Sequence, residues 1–251
     1  MNKKGSNSKK RERLDQLLVQ KEMASDLKKA GALLLSGKIK VDGVAIPQVG
    51  TLINPEAEII HELPAPYVSR GGEKLAGALR AFKISVTDRL CFDIGSSTGG
   101  FTDCLLKNGA KRVWAVDVGH GLLDEKLRKD GRVVVLEGVN IRHFEISTLA
   151  EKPSLITVDV SFISVEKIFP KMKEILAPNG EIVVMVKPQF EGTGPQVPGG
   201  IVKDEDTRQS ILKQVRQSAI DFGFTIKNAE DSVLDGRKGN REHFLHLVLN
   251  D

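Results

Sequence analysis

The stretch FDIGSSTGGF, residues 92–101, consists of an apolar strand, a glycine-rich turn and the start of a helix. This order is typical of the ligand-binding turn of an open α/β sheet. A dinucleotide site requires glycine at the middle position of G-x-G-x-x-G, but counting from Gly95 that position is Ser97. No Lys-Ser/Thr pair follows the glycines, which excludes a P-loop. The stretch therefore predicts an α/β fold whose ligand carries no phosphate.

Residues from 73 onward alternate between apolar strand-like runs and helical stretches. Continuous apolar strands separated by helices predict a parallel sheet covered on both faces. The two final runs, FTIKNAEDSV and HFLHLVLN, have no helix between them, so the last strand is expected to be antiparallel. The pattern resembles the Rossmann-like methyltransferase fold, with a seven-stranded sheet whose last strand is reversed. The other strands are predicted at 89–95, 112–118, 132–138, 154–161 and 181–188, and the helices around 100–108, 122–130, 164–177 and 205–222.

A phosphate-free ligand that suits such a fold is S-adenosylmethionine. Asp93, before the turn, is expected to face its amino-acid end together with the turn backbone. Asp117 ends the second strand, at the spacing from the glycines at which an acid accepts hydrogen bonds from ribose hydroxyls. Asn140, past the third strand, is expected to contact adenine. Taken singly, Asp117 is equally a strand-end cap and Asn140 a turn residue. The predicted cofactor residues are Asp93, Gly95, Ser96, Ser97, Thr98, Gly99, Gly100, Asp117, Val118, Asn140 and Asp159.

Three charged residues are expected to meet at one edge of the sheet. Asp159 and Lys187 lie at the carboxyl ends of strands four and five, and Glu242 opens the reversed last strand. Ligands bind at this edge in open α/β sheets, and a charge that closes an apolar run is either paired or functional. Together with Lys74, the set resembles the Lys-Asp-Lys-Glu tetrad of FtsJ-like 2′-O-ribose methyltransferases.

The resemblance implies a base for a ribose hydroxyl, which is a weak nucleophile. Free lysine has a pKa of about 10.4, and burial with a second cation nearby can lower that value. Lys187 is the candidate base, and Asp159 would orient it and face the sulfonium. Lys74 and Glu242 would tune this pair and position the ribose. The alternative is a buried salt-bridge network without catalysis, because such networks also perturb pKa values.

Residues 11–63 predict a small α+β unit of two helices followed by a hairpin. RLDQLLVQ and DLKKAGALLLSG have helical spacing, and IKVDGVAI turns at Asp42-Gly43. In this order the segments resemble the S4 RNA-binding domain, although the family usually has Ser-Arg where this chain has Ser25-Asp26. The alternative is a basic appendage used for protein contacts. The predicted RNA-binding residues are Arg11, Arg13, Lys28, Lys29, Lys38 and Arg70.

The domain boundaries follow from these segments. Residues 1–64 are predicted as a basic tail plus the S4-like domain, 65–72 as a linker, and 73–251 as the FtsJ-like domain. Gly71 and Gly72, in SRGGEKL, are interpreted as a hinge before a helix. Residues 192–204 are interpreted as a mobile loop near the site or as a surface insertion.

YVSRGGEKL, DIGSSTGGFTD, VDVSFIS and KPQFE together are similar to the TlyA family, many of whose members carry the label haemolysin. The resemblance implies 2′-O-methylation of cytidines in ribosomal RNA of the small subunit (16S) and sometimes of the large one (23S). The expected partner is therefore ribosomal RNA or a ribosomal subunit. Two alternatives remain open: a membrane-active haemolysin, and an RNA-binding protein whose methyltransferase domain is inactive.

Composition agrees with a partner that is a polyanion. Residues 1–40 carry eleven Lys and Arg against four acids, within a chain of pI about 9.0. No apolar run is long enough to span a bilayer and no signal-peptide core follows the basic start, so we expect a cytoplasmic protein without a membrane partner. Cys91 and Cys104 lie in apolar elements and lack metal-ligand spacing, so buried thiols and no metal site are expected.

Overall fold

In the computed structural model, which describes residues 11–62 and 65–249, the chain divides into a unit of Met1–Ala65 and a unit of Pro66–Asp251. Most of the predicted basic tail, residues 1–10, lies outside the described residues. The predicted linker, 65–72, falls mainly in the second unit, and its last three residues belong to a helix.

The first unit places two helices beside short strands. Apolar side chains of both helices are buried with strand residues, among them Leu14, Leu18, Leu34 and Ile39. β1 pairs with β4, and β2 lies between β3 and β5. The predicted hairpin is present, with Asp42 and Gly43 at its turn in the left-handed region. The elements are β1 (Glu12–Arg13), α1 (Leu14–Gln20), α2 (Leu27–Leu35), β2 (Ile39–Val41), β3 (Val44–Ala45), β4 (Leu52–Ile53) and β5 (Ile59–His61).

The second unit is built on a seven-stranded sheet. Its strands are β6 (Leu90–Ile94), β7 (Arg112–Asp117), β8 (Val133–Glu137), β9 (Leu155–Val158), β10 (Glu181–Val186), β11 (Phe224–Asp231) and β12 (His243–Leu249). The spatial order is β11-β12-β10-β9-β6-β7-β8. Strands β6 to β10 pair in parallel, whereas β12 is antiparallel to both of its neighbours. The predicted α/β sheet with a reversed last strand is confirmed.

Both faces of this sheet are buried. Phe92, Ile156 and Val184 belong to one apolar cluster, while their preceding neighbours on the same strands, such as Cys91 and Leu155, belong to a second cluster. Because successive strand residues point to opposite faces, the two clusters lie on opposite sides of the sheet. The helices are α3 (Arg70–Phe82), α4 (Gly100–Lys107), α5 (Glu125–Arg128), α6 (Phe169–Ile175), α7 (Pro188–Glu191) and α8 (Glu205–Asp221).

Two expectations about helices are corrected. The helix predicted at 122–130 is limited to the four residues of α5. The helix predicted at 164–177 is a 3-10 turn, Val165–Ile168, followed by α6.

The glycine pair Gly71-Gly72 is not a hinge ahead of a helix. Helix α3 begins at Arg70, so both glycines lie in its first turn. A Cβ added at Gly72 would lie 2.3 Å from the Tyr67 ring, and one at Gly100, in α4, would lie 2.2 Å from Ser69 Oγ. The glycines therefore permit the close approach of α3, its preceding segment and α4. Close packing replaces the hinge interpretation.

We predict that Gly72→Ala destabilises the protein by about 1–3 kcal/mol, because the new methyl group has to displace the Tyr67 ring. For a unit of this size the melting temperature should fall by roughly 2–10 °C, measured by differential scanning calorimetry. Gly131→Ala is the matched control, since no atom lies within 4 Å of its added Cβ. Equal melting temperatures for the two variants would contradict the packing role.

Candidate active site

The carboxyl ends of the parallel strands open into a pocket of about 790 Å³. All four residues of the predicted tetrad line it: Lys74, Asp159, Lys187 and Glu242. Of the predicted cofactor residues, Asp93, Thr98 and Gly99 do not line it. The pocket is lined by the other predicted cofactor residues, Gly95, Ser96, Ser97, Gly100, Asp117, Val118 and Asn140, and by the predicted RNA-binding residue Arg70.

Lys74 and Glu242 form a buried ion pair. The Lys74 Nζ atom lies 2.5 Å from Glu242 Oε2, and the two side chains are 10% and 5% exposed. Lys74 comes from the first half of α3, and Glu242 directly precedes β12. A Cβ at Gly236 would lie 2.3 Å from Glu242 Oε1, so glycine at this position leaves room for the carboxylate where it now lies.

The two neighbours of Glu242 are both held by Asp231. Arg241 donates to Asp231 Oδ2 at 3.1 Å, and the His243 Nδ1 atom lies 2.7 Å from Asp231 Oδ1. Burial lowers the pKa of His243 despite the nearby Asp231, so the ring is neutral at pH 7. Arg216 can only donate to its Nε2, so the proton lies on Nδ1 and is donated to Asp231. These contacts fix the backbone on either side of the catalytic candidate.

Lys187 and Asp159 form the second ion pair. The Lys187 Nζ atom lies 2.5 Å from Asp159 Oδ1 and donates an aligned hydrogen bond to Ser161 Oγ at 2.9 Å. Burial raises the pKa of the Asp159 carboxyl, and the adjacent Lys187 limits the rise. The pocket thus holds two lysines and two carboxylates in close pairs, with no charge of either sign in excess.

The glycine-rich turn is closed by a carboxylate. Asp117 accepts hydrogen bonds from the backbone N–H groups of Ser97 and Gly119, each at 2.8 Å. Ser97 adopts a left-handed φ of 48°. Its N–H group, which would serve a phosphate in a nucleotide-binding turn, is therefore already used. Beside the carboxylate, Val118 and Leu122 are 69% and 43% exposed and provide apolar walls. An adenosine without phosphates fits this end of the pocket.

Two cofactor candidates make structural contacts of their own, and one of them, Asp93, lies away from the pocket. Asp93 is fully buried and accepts hydrogen bonds from the hydroxyls of Thr102 at 2.7 Å and Thr157 at 2.9 Å, so it joins β6 to α4 and β9 rather than facing the pocket. Burial raises its pKa to about 7, although both hydroxyls oppose the rise. Asn140 lines the pocket and also caps a 3-10 turn through the N–H of Arg142, at 3.1 Å.

Comparison with known proteins assigns this fold and pocket to a family. The family model of FtsJ-like methyltransferases matches residues 67–249. The chain belongs to the FtsJ-like methyltransferase family. It is 39% identical to the 16S/23S rRNA (cytidine-2′-O)-methyltransferase TlyA of Mycobacterium tuberculosis, over 95% of this chain and 90% of the relative. It is 41% identical to Hemolysin A of Brachyspira hyodysenteriae, over 94% of this chain and the whole relative.

Solved structures with similar sequences share the fold of this chain. A protein from Streptococcus thermophilus that bears the name hemolysin superposes with a TM-score of 0.74 at 39% identity, covering 97% of this chain and 90% of that one. A second hemolysin-named protein, from Lactococcus lactis, gives a TM-score of 0.72 at 45% identity, covering 75% of this chain and 90% of the other. Within residues 11–62 and 65–249, no helix is both long and apolar enough to cross a membrane.

Aromatic residues at the methyltransferase pocket were missed by the sequence analysis. Phe162 lines the pocket, is 91% exposed and has a φ of 63° in the left-handed region. Its ring centroid lies 4.9 Å from that of Phe190. The sequence carries one signal for Phe162, because the phenylalanine of VDVSF closely follows the strand that leads to Asp159. This signal does not indicate that the ring faces solvent.

The predicted RNA-binding residues of the first unit are all at least partly exposed. Arg11, Lys28 and Lys29 are exposed, and Lys38 is half-buried. Arg13 is instead fixed by Asp15, to which it donates two hydrogen bonds. Asp26, at the position where the S4 family has arginine, caps α2 by accepting from the Lys29 N–H at 2.8 Å. That helix start is therefore occupied by the chain's own carboxylate.

Three residues of the second unit remain from the predictions: Arg70, the last of the RNA-binding set, and the two cysteines. Arg70 donates to the Asp235 carbonyl at 2.7 Å. Cys91 and Cys104 are free and buried, as expected, and burial raises the pKa of each thiol to about 12.

We predict that Asp93 makes stability fall as pH rises from about 4 to about 7. The folded state keeps the Asp93 proton up to a pKa of about 7, whereas the unfolded chain loses it near 3.9, so the folded state binds more protons in this window. Relative to Asp93→Asn, the wild-type free energy of unfolding in urea should decrease across this range. Asp204→Asn, at an exposed helix cap with a lowered pKa, should give a constant offset above pH 5. Parallel wild-type and Asp93→Asn curves would contradict the assignment.

Proposed function

We propose that the protein transfers a methyl group from S-adenosylmethionine to the 2′-hydroxyl of a cytidine in ribosomal RNA, in the cytoplasm. The observation that carries the proposal is the pair of buried lysine–carboxylate contacts at the mouth of one pocket. When bound, S-adenosylmethionine supplies the methyl group as an electrophile on a positively charged sulfur. A hydroxyl nucleophile then requires a base beside it, and the mouth offers two amines.

Lys187 is the proposed base. Once the Lys187 ammonium has given up a proton to solvent, its free amine takes the ribose proton, and this restores the ion pair with Asp159, 2.5 Å away. Ser161 can accept from the ammonium or donate to the free amine, so this contact holds in both protonation states. Lys74 and Glu242 would position the ribose. The intact tetrad favours this reading over an RNA-binding protein with an inactive domain.

The proposed cofactor residues lie at the other end of the pocket. Each oxygen of Asp117 accepts one backbone hydrogen bond and keeps a lone pair for a ribose hydroxyl. Val118 and Leu122 would cover the faces of adenine, and the amide of Asn140 would meet its edge. Asp93 would support the turn from below, without contact to the ligand.

The target base has a proposed platform in Phe162 and Phe190. Sequence-specific RNA recognition commonly splays a nucleotide out and stacks its base on an aromatic ring. Such stacking contributes about 1–3 kcal/mol per base. The contact with Phe190 leaves the Phe162 side chain 91% exposed at the pocket, which supports a ligand as a further partner.

The RNA class rests on the relatives and on the first unit. TlyA of Mycobacterium tuberculosis bears a name for cytidine methylation in 16S and 23S rRNA, and the shared chain length supports the same substrate class here. We propose that residues 1–64 form an S4-like RNA-binding domain, 65–72 connect it, and 73–251 carry the chemistry. Exposed Arg11, Lys28 and Lys29, with Arg13 and Lys38, would contact phosphates, and Arg70 would do so at the pocket.

We predict that Lys187→Ala reduces methyl transfer by at least about 100-fold, the usual contribution of a positioned base. Affinity for S-adenosylmethionine, measured by calorimetry, should change little, because the proposed adenosine contacts lie elsewhere. Transfer is measured as radiolabel incorporated into ribosomal subunits, followed by nuclease digestion to locate the label. Lys213→Ala, on the exposed face of α8, is the control. Wild-type rates in Lys187→Ala, or label on the base rather than the ribose, would overturn the proposal.

We predict that replacing Lys28 and Lys29 by alanine weakens binding to ribosomal subunits and lowers the slope of log K against log salt by about 1 per lost phosphate contact. The measurement is a filter-binding titration at several salt concentrations. Lys152→Ala, an exposed lysine of the second unit, is the matched control. An unchanged slope would show that this part of α2 does not contact RNA.

A further inference from the structure

One short segment, α7 with the preceding Lys187, contacts both ends of the loop that carries Asp159 and Phe162. We name residues 159–165 the aromatic loop. At its start, Lys187 contacts Asp159 and Ser161. At its end, the Val165 N–H donates to Glu191 Oε1 at 3.0 Å. Lys187 and Glu191 lie at opposite ends of the single-turn helix α7, so one rigid turn anchors the loop twice.

Between these anchors, Phe162 adopts a conformation that it would not keep by itself. A left-handed φ costs a residue with a bulky side chain free energy, and it persists only where the surroundings impose it. Burial does not impose it, because the ring is 91% exposed and its aromatic contact is Phe190, which is part of α7. The conformation is therefore fixed by the anchors of the aromatic loop.

Glu191 is an unusual anchor because burial of its carboxyl group costs free energy. Burial raises the pKa of its carboxyl, and the Ser164 hydroxyl and the Val165 N–H only partly offset this. Among the described residues, its Oε2 atom is buried and has no hydrogen-bond partner. Buried polar atoms without partners are rare, and each calls for an explanation. A surface loop would not need a buried carboxylate to hold it.

We propose that Glu191 is a positioning residue for the target nucleotide, acting through the aromatic loop to hold the Phe162 ring at the pocket. The role rests on the proposed function, because the ring has to receive a base of the RNA. Glu191 contacts neither substrate nor cofactor in this role. Its removal should affect RNA engagement and leave the adenosine end of the pocket intact.

The test compares Glu191→Leu with Glu191→Gln, alone and combined with Phe162→Ala. Phe162→Ala should raise the KM for ribosomal subunits roughly 5- to 150-fold, the loss of one stacked base. Glu191→Leu should raise it by a similar factor with unchanged affinity for S-adenosylmethionine. Glu191→Gln, whose amide oxygen still accepts from Val165, should restore most of the loss. In the Phe162→Ala background, Glu191→Leu should add little, because both changes remove the same contact.

Three outcomes would overturn the proposal. Additive effects of Glu191→Leu and Phe162→Ala would show independent roles. Equal losses in Glu191→Gln and Glu191→Leu would show that the acceptor is not what matters. A parallel loss of cofactor affinity, or of the melting temperature in Glu191→Gln, would indicate general structural damage.

The proposed function can fail separately. Wild-type protein that places no methyl group on a ribose of ribosomal RNA would refute the proposed function without any Glu191 variant. In that case the affinity for ribosomal RNA is measured for the same double-mutant cycle in the Lys187→Ala background, where methyl transfer plays no part. Non-additive binding losses there would sustain the role of Glu191, and additive losses would remove it.

Discussion

The buried contact between Lys74 and Glu242 is the interaction on which the mouth of the pocket depends. It joins the first helix of the larger unit to its last strand, 168 residues apart in the chain. Removal of either partner leaves the other as an unpaired buried charge, which typically costs about 3–5 kcal/mol. The Asp231 contacts hold the backbone on either side of Glu242, and Gly236 leaves room for its carboxylate. Both features keep this ion pair aligned. The reversed β12 is what brings Glu242 to the same sheet edge as Asp159 and Lys187.

The second ion pair gives the site its electrical balance. Two lysines and two carboxylates make up the tetrad, so in the proposed reaction a Lys187 that has first lost its own proton would regain its charge beside a carboxylate already in place. Such preorganised charge avoids the cost of reorienting water during the reaction. The same balance explains how four ionisable groups can lie largely buried at one edge of an apolar sheet, since each has its counter-charge within hydrogen-bonding distance.

The sequence was most informative where the order of elements along the chain determines their position in the fold. Alternating strands and helices predicted the sheet, and the missing crossover before β12 predicted its direction, which together brought the tetrad to one edge. The sequence was not informative where the direction of a side chain decides the role of that residue. Asp93 was expected at the ligand, but the pleat of β6 turns it inward to two threonine hydroxyls. The sequence does not single out Asp231 and Glu191, because an acid that holds neighbouring segments in place and a freely solvated acid are the same letter. Gly72 was interpreted as flexible because its neighbour Tyr67, which requires the small residue, packs on it only in the folded chain.

The hydrogen bond from the Ser97 N–H to Asp117 has a consequence for selectivity among metabolites. Many abundant adenine compounds of a cell carry phosphates attached to the same adenosine group. In the proposed cofactor site the Ser97 N–H is already bonded to Asp117, so a phosphate at this turn would find one donor fewer and a carboxylate nearby. Binding at the proposed adenosine site would therefore favour ligands without phosphates through one internal hydrogen bond rather than through the shape of the pocket.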